Sequence, residues 1–352
     1  MRHVRLSVFA ALGVAGVAYV AYGQGNPRPD LSGPRTLNPG AFPYPDSMDS
    51  VKAAPGQHKL RYEDSHIRLL EVTYLPHTVG DAFHGHPYPS VFAFPSARPA
   101  GRDVRLDAGD PAPRTEGSPP PGMSYPRCTT MVPQMPHRPE NTSDFPDHFY
   151  RVEFKRVDGD EFKTKWATWY PYLKQRTTVW EWLKSSGERP FGQAAAPSSK
   201  PVSATARTLN PEGFPYPDSY DSVAVAPGQH WLRYEDENVR FIEVMYRPGE
   251  RGDGLHGHPY SSVFFMDSPF ARVEDEHLEK GPLNEGQGRG GPPPNMKYPM
   301  CSTMGPQSPH RPHNIDTTPI HFYRIEFKRL DGEGIKDHWR EWYPQMATGQ
   351  QK

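Results

Sequence analysis

A long internal repeat constrains the fold of this chain more than any other feature of its sequence. The stretch from Thr36 to about Pro171 recurs, as a near copy, from Thr208 to about Pro344. Solenoid repeats have periods of roughly 20 to 50 residues, and the period here is far longer. Each copy is long enough to bury a core of its own, so the sequence predicts two tandem domains rather than a repeat array.

The two copies align by eye over most of their length. Residues 42–47 match 214–219, and residues 61–64 match 233–236. The frame then slips by one residue, so that 148–151 matches 321–324. The remaining segments are predicted to be a flexible lead-in at 24–35, a linker at 172–207 that can form a short helix at 178–184, and a tail at 345–352. The domains themselves are predicted at 36–171 and 208–344.

Composition narrows both the fold class and the choice of partners. The chain has 352 residues, a formal net charge of −1, 43 prolines and 31 glycines. Balanced charge gives no polyanion-binding signal, so nucleic acid and anionic lipid are poor partner candidates. Proline breaks helices, and short runs of β-branched and aromatic residues between Pro/Gly clusters predict an all-β architecture. The oligomeric state is left open by the sequence.

Residues 1–23 have the pattern of a cleavable secretory signal peptide. Arg2 and Arg5 precede an apolar run from Leu6 to Val20, and a small-residue site follows before Gln24. This pattern predicts a secreted or periplasmic protein. The alternative is an uncleaved membrane anchor, because the apolar run approaches the length of a short transmembrane helix. Both interpretations place the domains outside the cytoplasm.

The two cysteines, Cys128 and Cys301, lie at matching places in the two copies. So few cysteines exclude a disulfide framework. An oxidising compartment permits a bridge between them. Equivalent points on two separate domains rarely come close enough for that, so the sequence favours two buried thiols.

Three pairs of matched segments are predicted to be strands: Ile67–Tyr74 with Val239–Tyr246, Ser90–Phe94 with Ser262–Met266, and 149–155 with 322–328. Proline-rich segments at 95–126 and 269–299 interrupt them, either as a lid across the domain or as a surface loop. Four glutamates recur in the strands and are expected to point outward, because alternating strand positions usually expose such charges: Glu71, Glu153, Glu243 and Glu326.

The histidines give the strongest functional signal. His84 and His86 are two residues apart, so a strand presents both imidazoles to one point. His137, on a neighbouring strand, can supply a third neutral nitrogen and leave open positions on a metal ion. The second copy repeats the set as His256, His258 and His310. The competing interpretation is hydrogen-bonded histidines that hold no ion.

Two further sets of residues are weaker candidates. Tyr88 and Tyr260 follow the paired histidines and can serve as catalytic phenols that orient substrate or transfer a proton, although a strand tyrosine usually packs. Cys128 with Met131, and their counterparts in the second copy, place soft sulfur near the third histidine, as a copper site requires. The alternative interpretation is that Cys and Met pack in the core of the domain and bind no metal.

The order of strand, His-x-His, strands, His-x-x-x-Asn and closing strand resembles the cupin superfamily, and two copies resemble a bicupin. Residues 54–74 and 226–246 also resemble the opening of small exported cupins of unassigned function. The resemblance implies two tandem double-stranded β-helix (jelly-roll) barrels, with a metal near each barrel centre and substrate entering from one end. It assigns to the two cupin motifs the residues His84, His86, His137, Asn141, His256, His258, His310 and Asn314.

The chain also departs from the cupin pattern. Cupins normally place a glutamate ligand four or five residues after the second histidine, where this chain has Ser90 or Val91, and Ser262 or Val263. The glycine of the second motif is missing as well, since 133–136 and 306–309 lack it. The neutral three-histidine set that remains resembles the iron site of thiol dioxygenases, and the implied cofactor is a divalent ion of unspecified identity, namely Fe, Mn, Zn, Ni or Cu.

Three hypotheses about function follow. The first is a metal-dependent oxygenase, isomerase or lyase that acts on a small organic acid. The second is a non-catalytic extracytoplasmic module that binds a small molecule or a metal. The third is a division of labour in which one barrel is active and the other is structural. Both copies keep the same histidines, so the sequence does not select between the barrels.

Overall fold

The computed structural model describes residues 29–107, 124–171, 214–269, 271–278, 281–282 and 297–348. The predicted signal peptide, the linker helix at 178–184 and the middle of both proline-rich segments lie outside these residues. Within them the chain forms four antiparallel sheets and a few short helices, so the all-β prediction is confirmed. No helix in these ranges is long and apolar enough to cross a membrane.

The first repeat contains eight strands: β1 His58–Glu63, β2 Ile67–Tyr74, β3 His84–His86, β4 Ser90–Phe94, β5 Gly101–Arg105, β6 Arg127–Met131, β7 Gln134–Asn141 and β8 Asp147–Phe154. Its helices are α1 Ser50–Ala53 and α2 Phe162–Trp169. Short 3-10 turns occupy Asp46–Met48 and Gly159–Glu161.

The second repeat has a similar order of elements, with one additional strand and one additional helix among the described residues. After a 3-10 turn at Asp218–Tyr220, its helices are α3 Ser222–Val225, α4 Ile335–Trp342 and α5 Pro344–Ala347. Its strands are β9 His230–Glu235, β10 Val239–Tyr246, β11 His256–His258, β12 Ser262–Met266, β13 Val273–His277, β14 Gly281–Pro282, β15 Met300–Met304, β16 Gln307–Asn314 and β17 Ile320–Phe327.

The strand order is that of a jelly roll. One sheet of the first repeat runs β1-β2-β8-β4-β6 and the other runs β3-β7-β5, so strands from β2 to β8 alternate between the two sheets. The second repeat has β9-β10-β17-β12-β15 and β11-β16-β13-β14. In each repeat two sheets therefore enclose an interior, as in the double-stranded β-helix of jelly-roll proteins. The predicted fold, two tandem jelly-roll barrels, is confirmed by this topology.

Several strand predictions hold to the residue, and two expectations were wrong. β2, β4, β10 and β12 have the predicted bounds, and β8 and β17 begin two residues earlier than predicted. The first proline-rich segment is not only a loop, because it contains β5. The four strand glutamates do not point to solvent: Glu71, Glu153, Glu243 and Glu326 are all buried.

Glu71 and Glu243 are buried because the two barrels pack face to face through their five-stranded sheets, whereas Glu153 and Glu326 point into the barrel interiors, where they contact His86 and His258. One apolar cluster combines Leu69 and Val152 of the first repeat with Phe241 and Ile325 of the second. The contacts are reciprocal between equivalent residues. The ring centroids of Tyr150 and Phe327 lie 6.0 Å apart, and those of Phe154 and Tyr323 lie 6.2 Å apart. The interface is thus built like that of an isologous dimer within one chain.

This reciprocity also corrects the expectation about the cysteines. Near the axis of such an interface, equivalent residues meet, and β6 contacts β15 there. Cys128 and Cys301 form a disulfide, with their Cα atoms 6.3 Å apart. The prediction of two buried thiols was wrong because nothing in the sequence indicates how the barrels pack.

The helices that end the repeats are exchanged between the barrels. Ile335 and Trp339 of α4 pack against Ala97 and Phe145 of the first repeat. Trp339 Nε1 also donates a hydrogen bond to the carbonyl of Asp144, at 3.2 Å. On the other side Phe162 of α2 packs against Trp231 and Met245 of the second repeat. Each barrel therefore relies on the other to complete its apolar surface.

The disulfide should stabilise the pair of barrels by restricting the unfolded chain. It closes a loop with a sequence separation of 173 residues. We expect reduction, or the double change Cys128→Ser with Cys301→Ser, to lower the free energy of unfolding by roughly 2 to 5 kcal/mol. Peptide mapping without reductant should recover the linked pair, and chemical unfolding with and without reductant measures the loss. Free thiols in the oxidised, folded protein would contradict the assignment.

Because Glu71 is buried and paired, the free energy of unfolding should depend on pH. Burial alone would raise the pKa of Glu71, but hydrogen bonding to His148 and the charge of Arg61 outweigh it and lower the pKa to about 2. Since the folded pKa lies below the ordinary value of 4.5, the stabilisation is complete above pH 4.5 and is lost as the pH falls towards 2. We expect Glu71→Gln to cost on the order of 3 kcal/mol at pH 7 and far less near pH 2. Glu161→Gln, at an exposed helix position, is the control for unfolding curves across pH.

Candidate metal centre

The paired histidines lie on a short strand that packs tightly on its other side. In β3 both His84 and His86 are buried. Gly85 between them faces the opposite way, where a Cβ atom would lie 2.3 Å from the ring of Phe42. Gly257 meets Phe214 in the same way in the second barrel. Glycine is therefore needed at this position so that the strand can approach an aromatic ring and present both imidazoles to the barrel interior.

The predicted third histidine lies beside the first two. His137 on β7 pairs with His84 across the sheet, and the register shifts before His86, which pairs with Gln134. The ring centroid of His137 lies 4.9 Å from that of His84 and 5.6 Å from that of His86. In the second barrel the centroid of His310 lies 4.9 Å from that of His256 and 5.5 Å from that of His258.

A fourth histidine, which the sequence reasoning missed, completes each cluster. The ring centroid of His58, at the start of β1, lies 4.4 Å from that of His84 and 5.2 Å from that of His86. The potential ligand atoms of His58, His84 and His86 all lie within 4.8 Å of one another, and those of His230, His256 and His258 do the same. A signal was available, because Gly-Gln-His recurs at the same place in both repeats.

Each imidazole of the first cluster is held by a bond on its Nδ1 atom. His58 contacts the carbonyl of Ala54 at 3.3 Å, and His84 contacts the carbonyl of Ala82 at 3.0 Å. Carboxylates hold the other two: His86 Nδ1 lies 2.7 Å from Glu153 Oε1, and His137 Nδ1 lies 3.1 Å from Asp103 Oδ2. Bonds of this kind fix the tautomer and direct Nε2 to a metal.

The second cluster has a similar arrangement. His256 Nδ1 lies 3.0 Å from the carbonyl of Gly254, and His310 Nδ1 lies 3.1 Å from that of Ser308. His258 Nδ1 lies 2.8 Å from Glu326 Oε1. His230 differs, because its buried Nδ1 has no hydrogen-bond partner among the described residues.

These clusters fit a divalent metal ion. The Nε2 atoms of His137 and His256 are buried and have no hydrogen-bond partner in the described part of the chain, so each is an unused acceptor. Burial lowers the pKa of His84 and His86 well below 6.5, and the charge of their neighbours lowers it further. The imidazoles are therefore neutral at pH 7, as metal ligands must be. Neutral nitrogen donors suit Fe, Ni, Cu or Zn better than Ca or Mg.

This chain lacks the glutamate ligand that cupins normally have, but a carboxylate lies behind one of the histidine ligands. Glu153 on β8 bonds His86 and also accepts a 2.5 Å hydrogen bond from Arg68 Nε. Arg151 Nε lies 3.0 Å from the same carboxylate. The carboxylate therefore orients a ligand from behind, and Glu326 does the same for His258.

A cavity of about 470 Å³ opens beside the first cluster. Its walls include His58, His86 and His137, together with the buried Arg151. Three arginines lie nearer solvent, accompanied by acidic side chains: the lining residues Arg98, Arg102 and Arg105, with Asp103, Asp107 and Asp147.

The structure places the predicted catalytic tyrosines away from this cavity. Tyr88 packs under the guanidinium of Arg68, which lies 5.1 Å from its ring centroid, and Tyr260 lies under Arg240 in the same way. Tyr88 is not among the residues of the cavity wall. Tyr74 is, and its hydroxyl lies 3.3 Å from His84 Nε2. A catalytic role for Tyr88 and Tyr260 stays a prediction that the geometry does not favour.

Two other sequence candidates have structural partners. Asn141 donates hydrogen bonds to the carbonyls of Tyr74 and Phe145, at 3.0 and 2.9 Å, so it fixes backbone rather than facing the histidines. Asn314 does the same in the second barrel. Cys128 and Cys301 are joined to each other, which removes the thiolate that a copper–sulfur site needs.

Comparison with known proteins yields structural neighbours only. No protein-family model and no curated protein matches the chain. Solved structures similar to it include a cupin domain from Bordetella pertussis, at 22% identity over 28% of this chain and 90% of that one, with a TM-score of 0.22. An oxalate decarboxylase from Lactobacillus farciminis, determined as a formate complex, matches at 16% identity over 80% of both chains, with a TM-score of 0.19.

A Bacillus subtilis oxalate decarboxylase, known for its Mn(II) centres, matches at 14% identity over 78% of this chain and 74% of that one, with a TM-score of 0.21. At such identities and TM-scores these likenesses carry no argument about activity. The fold assignment rests on the strand order, which is that of two tandem jelly-roll barrels, as the resemblance to bicupins implied.

The newly found fourth histidine can be tested directly. Because the donor atoms of His58 lie close to those of both His84 and His86, we expect His58→Ala to weaken metal binding in the first barrel at least as much as His137→Ala does. Loss of one ligand should lower the affinity on the order of 100-fold or more, since even outer partners of metal ligands are worth 10- to 100-fold. Isothermal titration with Mn²⁺ or Zn²⁺ measures the change.

The control for this comparison is His77→Ala, because His77 is a mostly exposed histidine paired with Asp144. Its removal should leave the titration unchanged. If His58→Ala binds metal as wild type does while His137→Ala does not, the three histidines predicted from the sequence are sufficient.

Proposed function

We propose that the chain is an exported, metal-dependent enzyme whose first barrel binds and transforms a small organic acid, as an oxygenase, isomerase or lyase. One observation carries the proposal. A guanidinium nitrogen of Arg151, which has no hydrogen-bond partner among the described residues, is buried in the same cavity as the histidine cluster. The neutral histidines leave the charge of a bound ion uncancelled, so an anion is the complementary ligand.

Arg151 supplies the anchoring charge. Its Nη1 donates to Gln134 Oε1 and its Nε pairs with Glu153, but its Nη2 has no hydrogen-bond partner among the described residues. Burial lowers the pKa of Arg151 to about 10, against the opposing effect of Glu153, so the group remains charged at pH 7. Buried donors are rarely left unpaired. A carboxylate of the substrate would pair with this nitrogen.

The mouth of the first barrel carries arginines that the second barrel lacks at the equivalent positions. Strand β5 carries Arg102 and Arg105, and the matching positions on β13 are Glu274 and His277. The ion pair between Arg98 and Asp147, at 2.7 Å, is replaced by Phe270 and Ile320 in the sequence of the second repeat. The buried arginine is kept, as Arg324. We therefore assign anion binding to the first barrel.

The chemistry within the cavity follows from its groups. A bound divalent ion would act as a Lewis acid towards an oxygen of the substrate. Tyr74 is the phenol within reach and would donate a hydrogen bond to a substrate oxygen, because burial and the nearby Asp147 and Asp103 raise its pKa well above 10 and keep it protonated. Phe92 and Phe149 give the cavity an apolar side, which would contact the carbon skeleton of the acid.

Export is part of the proposal and is supported by two observations. The first 23 residues have the pattern of a secretory signal, and the disulfide between the barrels is of a kind that persists in oxidising compartments. Determination of the N-terminus of the protein from its native host tests this point, with a start near Gln24 as the expected result.

A second candidate is a non-catalytic carrier that binds the acid without turning it over. It is favoured by the raised pKa of Tyr74, since the only phenol on the cavity wall is then a weak acid and an unsuitable base within the described residues. The two candidates share a binding site and differ in turnover. Product analysis by mass spectrometry, after incubation of the metal-loaded protein with each acid that binds, distinguishes them.

The binding site itself can be tested by exchanging residues between the barrels. We expect the double change Arg102→Glu with Arg105→His, which gives the first barrel the side chains of the second, to weaken binding of small mono- and dicarboxylates by roughly tenfold to a hundredfold. Arg151→Met should abolish it. Thermal shift and titration calorimetry on the metal-loaded chain measure both effects.

The matched control is Arg311→Met in the second barrel, where the side chain forms a partly exposed ion pair with Glu276. It should leave carboxylate binding unchanged. Undiminished binding by Arg151→Met would remove the basis for an anionic substrate, while binding lost only through Arg324→Met would place the site in the second barrel.

A further inference from the structure

A second type of polar cluster lies between the barrels, apart from the histidine clusters. His66 is in the turn before β2, Asp158 follows β8, and Asp267 follows β12 of the second repeat. His66 Nε2 lies 3.8 Å from Asp158 Oδ2 and 3.6 Å from Asp267 Oδ2. The potential ligand atoms of the three residues lie within 4.8 Å of one another, and all three side chains are buried.

Hydrogen bonding does not account for the burial of the Asp267 carboxylate. Its relative exposure is 0%, and neither carboxylate oxygen accepts a hydrogen bond from the described residues. Two histidine nitrogens lie within 4 Å of this carboxylate, His66 Nε2 at 3.6 Å and His321 Nδ1 at 3.9 Å. A carboxylate buried without compensation costs several kcal/mol or more, so such a group normally has a cation beside it.

The reciprocal interface provides an internal comparison. The other half has Asp331 and Tyr343 in place of Asp158 and Tyr170, and each tyrosine donates to its aspartate. Arginines pair with the two aspartates in the same way, Arg156 at 2.6 Å and Arg329 at 3.0 Å.

What differs between the halves is the rest of the cluster. Asn238 replaces His66 and Pro95 replaces Asp267. The shared Tyr, Asp and Arg contacts therefore account for the structure of the interface. The histidine and the second aspartate, present on one side only, need another explanation.

We propose that His66, Asp158 and Asp267 bind a divalent transition-metal ion of the zinc type, which links the two barrels. One imidazole and two carboxylates are a normal ligand set for zinc. Bonds of about 2.0 to 2.2 Å in a tetrahedral site place the ligand atoms roughly 3.3 to 3.6 Å apart. The observed 3.6 and 3.8 Å separations are close to that range without rearrangement.

The surroundings match a cation at this point. Tyr170 Oη lies 2.7 Å from His66 Nε2 and 2.9 Å from Asp158 Oδ2, so it is in place as a fourth ligand atom. Two aspartates against one Arg156 leave a negative charge that a divalent ion offsets. The rival occupant is a proton, because the two aspartates raise the pKa of His66 to about 9 although burial alone would lower it.

The test counts zinc in the full-length protein. Wild type and variants are produced with zinc in the growth medium, passed through a chelator, and analysed by mass spectrometry for zinc per chain. We expect Asp267→Asn to hold about one zinc ion fewer per chain than wild type, and Asp158→Asn to show the same deficit. The barrel clusters contribute equally to every sample, so the difference between variants reports only the interface cluster.

Asp331→Asn is the matched control, since it removes the equivalent aspartate where histidine and second carboxylate are absent. Its zinc content should equal that of wild type. Asp267 accepts no hydrogen bond from the described residues, so its conversion to asparagine leaves no partner unpaired and should not prevent folding. Zinc content unchanged in Asp267→Asn overturns the proposal in favour of a proton on His66, and an equal loss in Asp331→Asn overturns it as an indirect effect of structure.

Discussion

The buried carboxylate of Glu153 is the interaction on which the first barrel's site depends. It has no exposure to solvent, and it bonds His86 of the cluster, Arg151 of the cavity and Arg68. Arg68 in turn forms two hydrogen bonds with Asp49, at 2.8 and 2.6 Å, next to helix α1. Removal of one member of such a network leaves an uncompensated charge and costs roughly 3 to 5 kcal/mol. The network thus ties the orientation of a metal ligand and of a substrate anchor to the stability of the fold.

The position of the Glu153 carboxylate shows what this chain has in place of the glutamate ligand of cupins. Where cupins place a glutamate ligand, this chain has Ser90 or Val91, and a carboxylate approaches instead from β8, behind His86. Its charge is already shared with Arg68 and Arg151. The atoms that would bind the ion therefore stay uncharged. The hydrogen bond from His86 Nδ1 to Glu153 also makes Nε2 of the same ring a stronger metal ligand. A site of this kind keeps the positive charge of the ion available to an anionic ligand.

The sequence predicted what depends on local pattern. Strand bounds at Ile67–Tyr74 and Ser90–Phe94, the duplication, and the convergence of His84, His86 and His137 all follow from periodicity and spacing. It did not predict what depends on how the barrels pack. A strand buried on both faces carries charges such as Glu71 inside, and alternation cannot distinguish that from a solvent-facing side. His58 was missed because its strand comes well before the recognised motif, although its recurrence as His230 was visible.

The packing of the barrels gives a physical reason for keeping two copies that have diverged. The outer faces of both five-stranded sheets are apolar and cover each other, and α2 and α4 each complete the partner barrel. Neither barrel could lose its partner without exposing that surface to water. The second barrel is therefore retained for stability whatever its mouth binds, which leaves β13 free to exchange arginines for Glu274 and His277. The same asymmetry is permitted at the interface, where one half has His66 and Asp267 and the other has Asn238 and Pro95. Packing between the two copies stabilises both barrels, so the residues at the barrel mouths and at the interface cluster can differ between the copies.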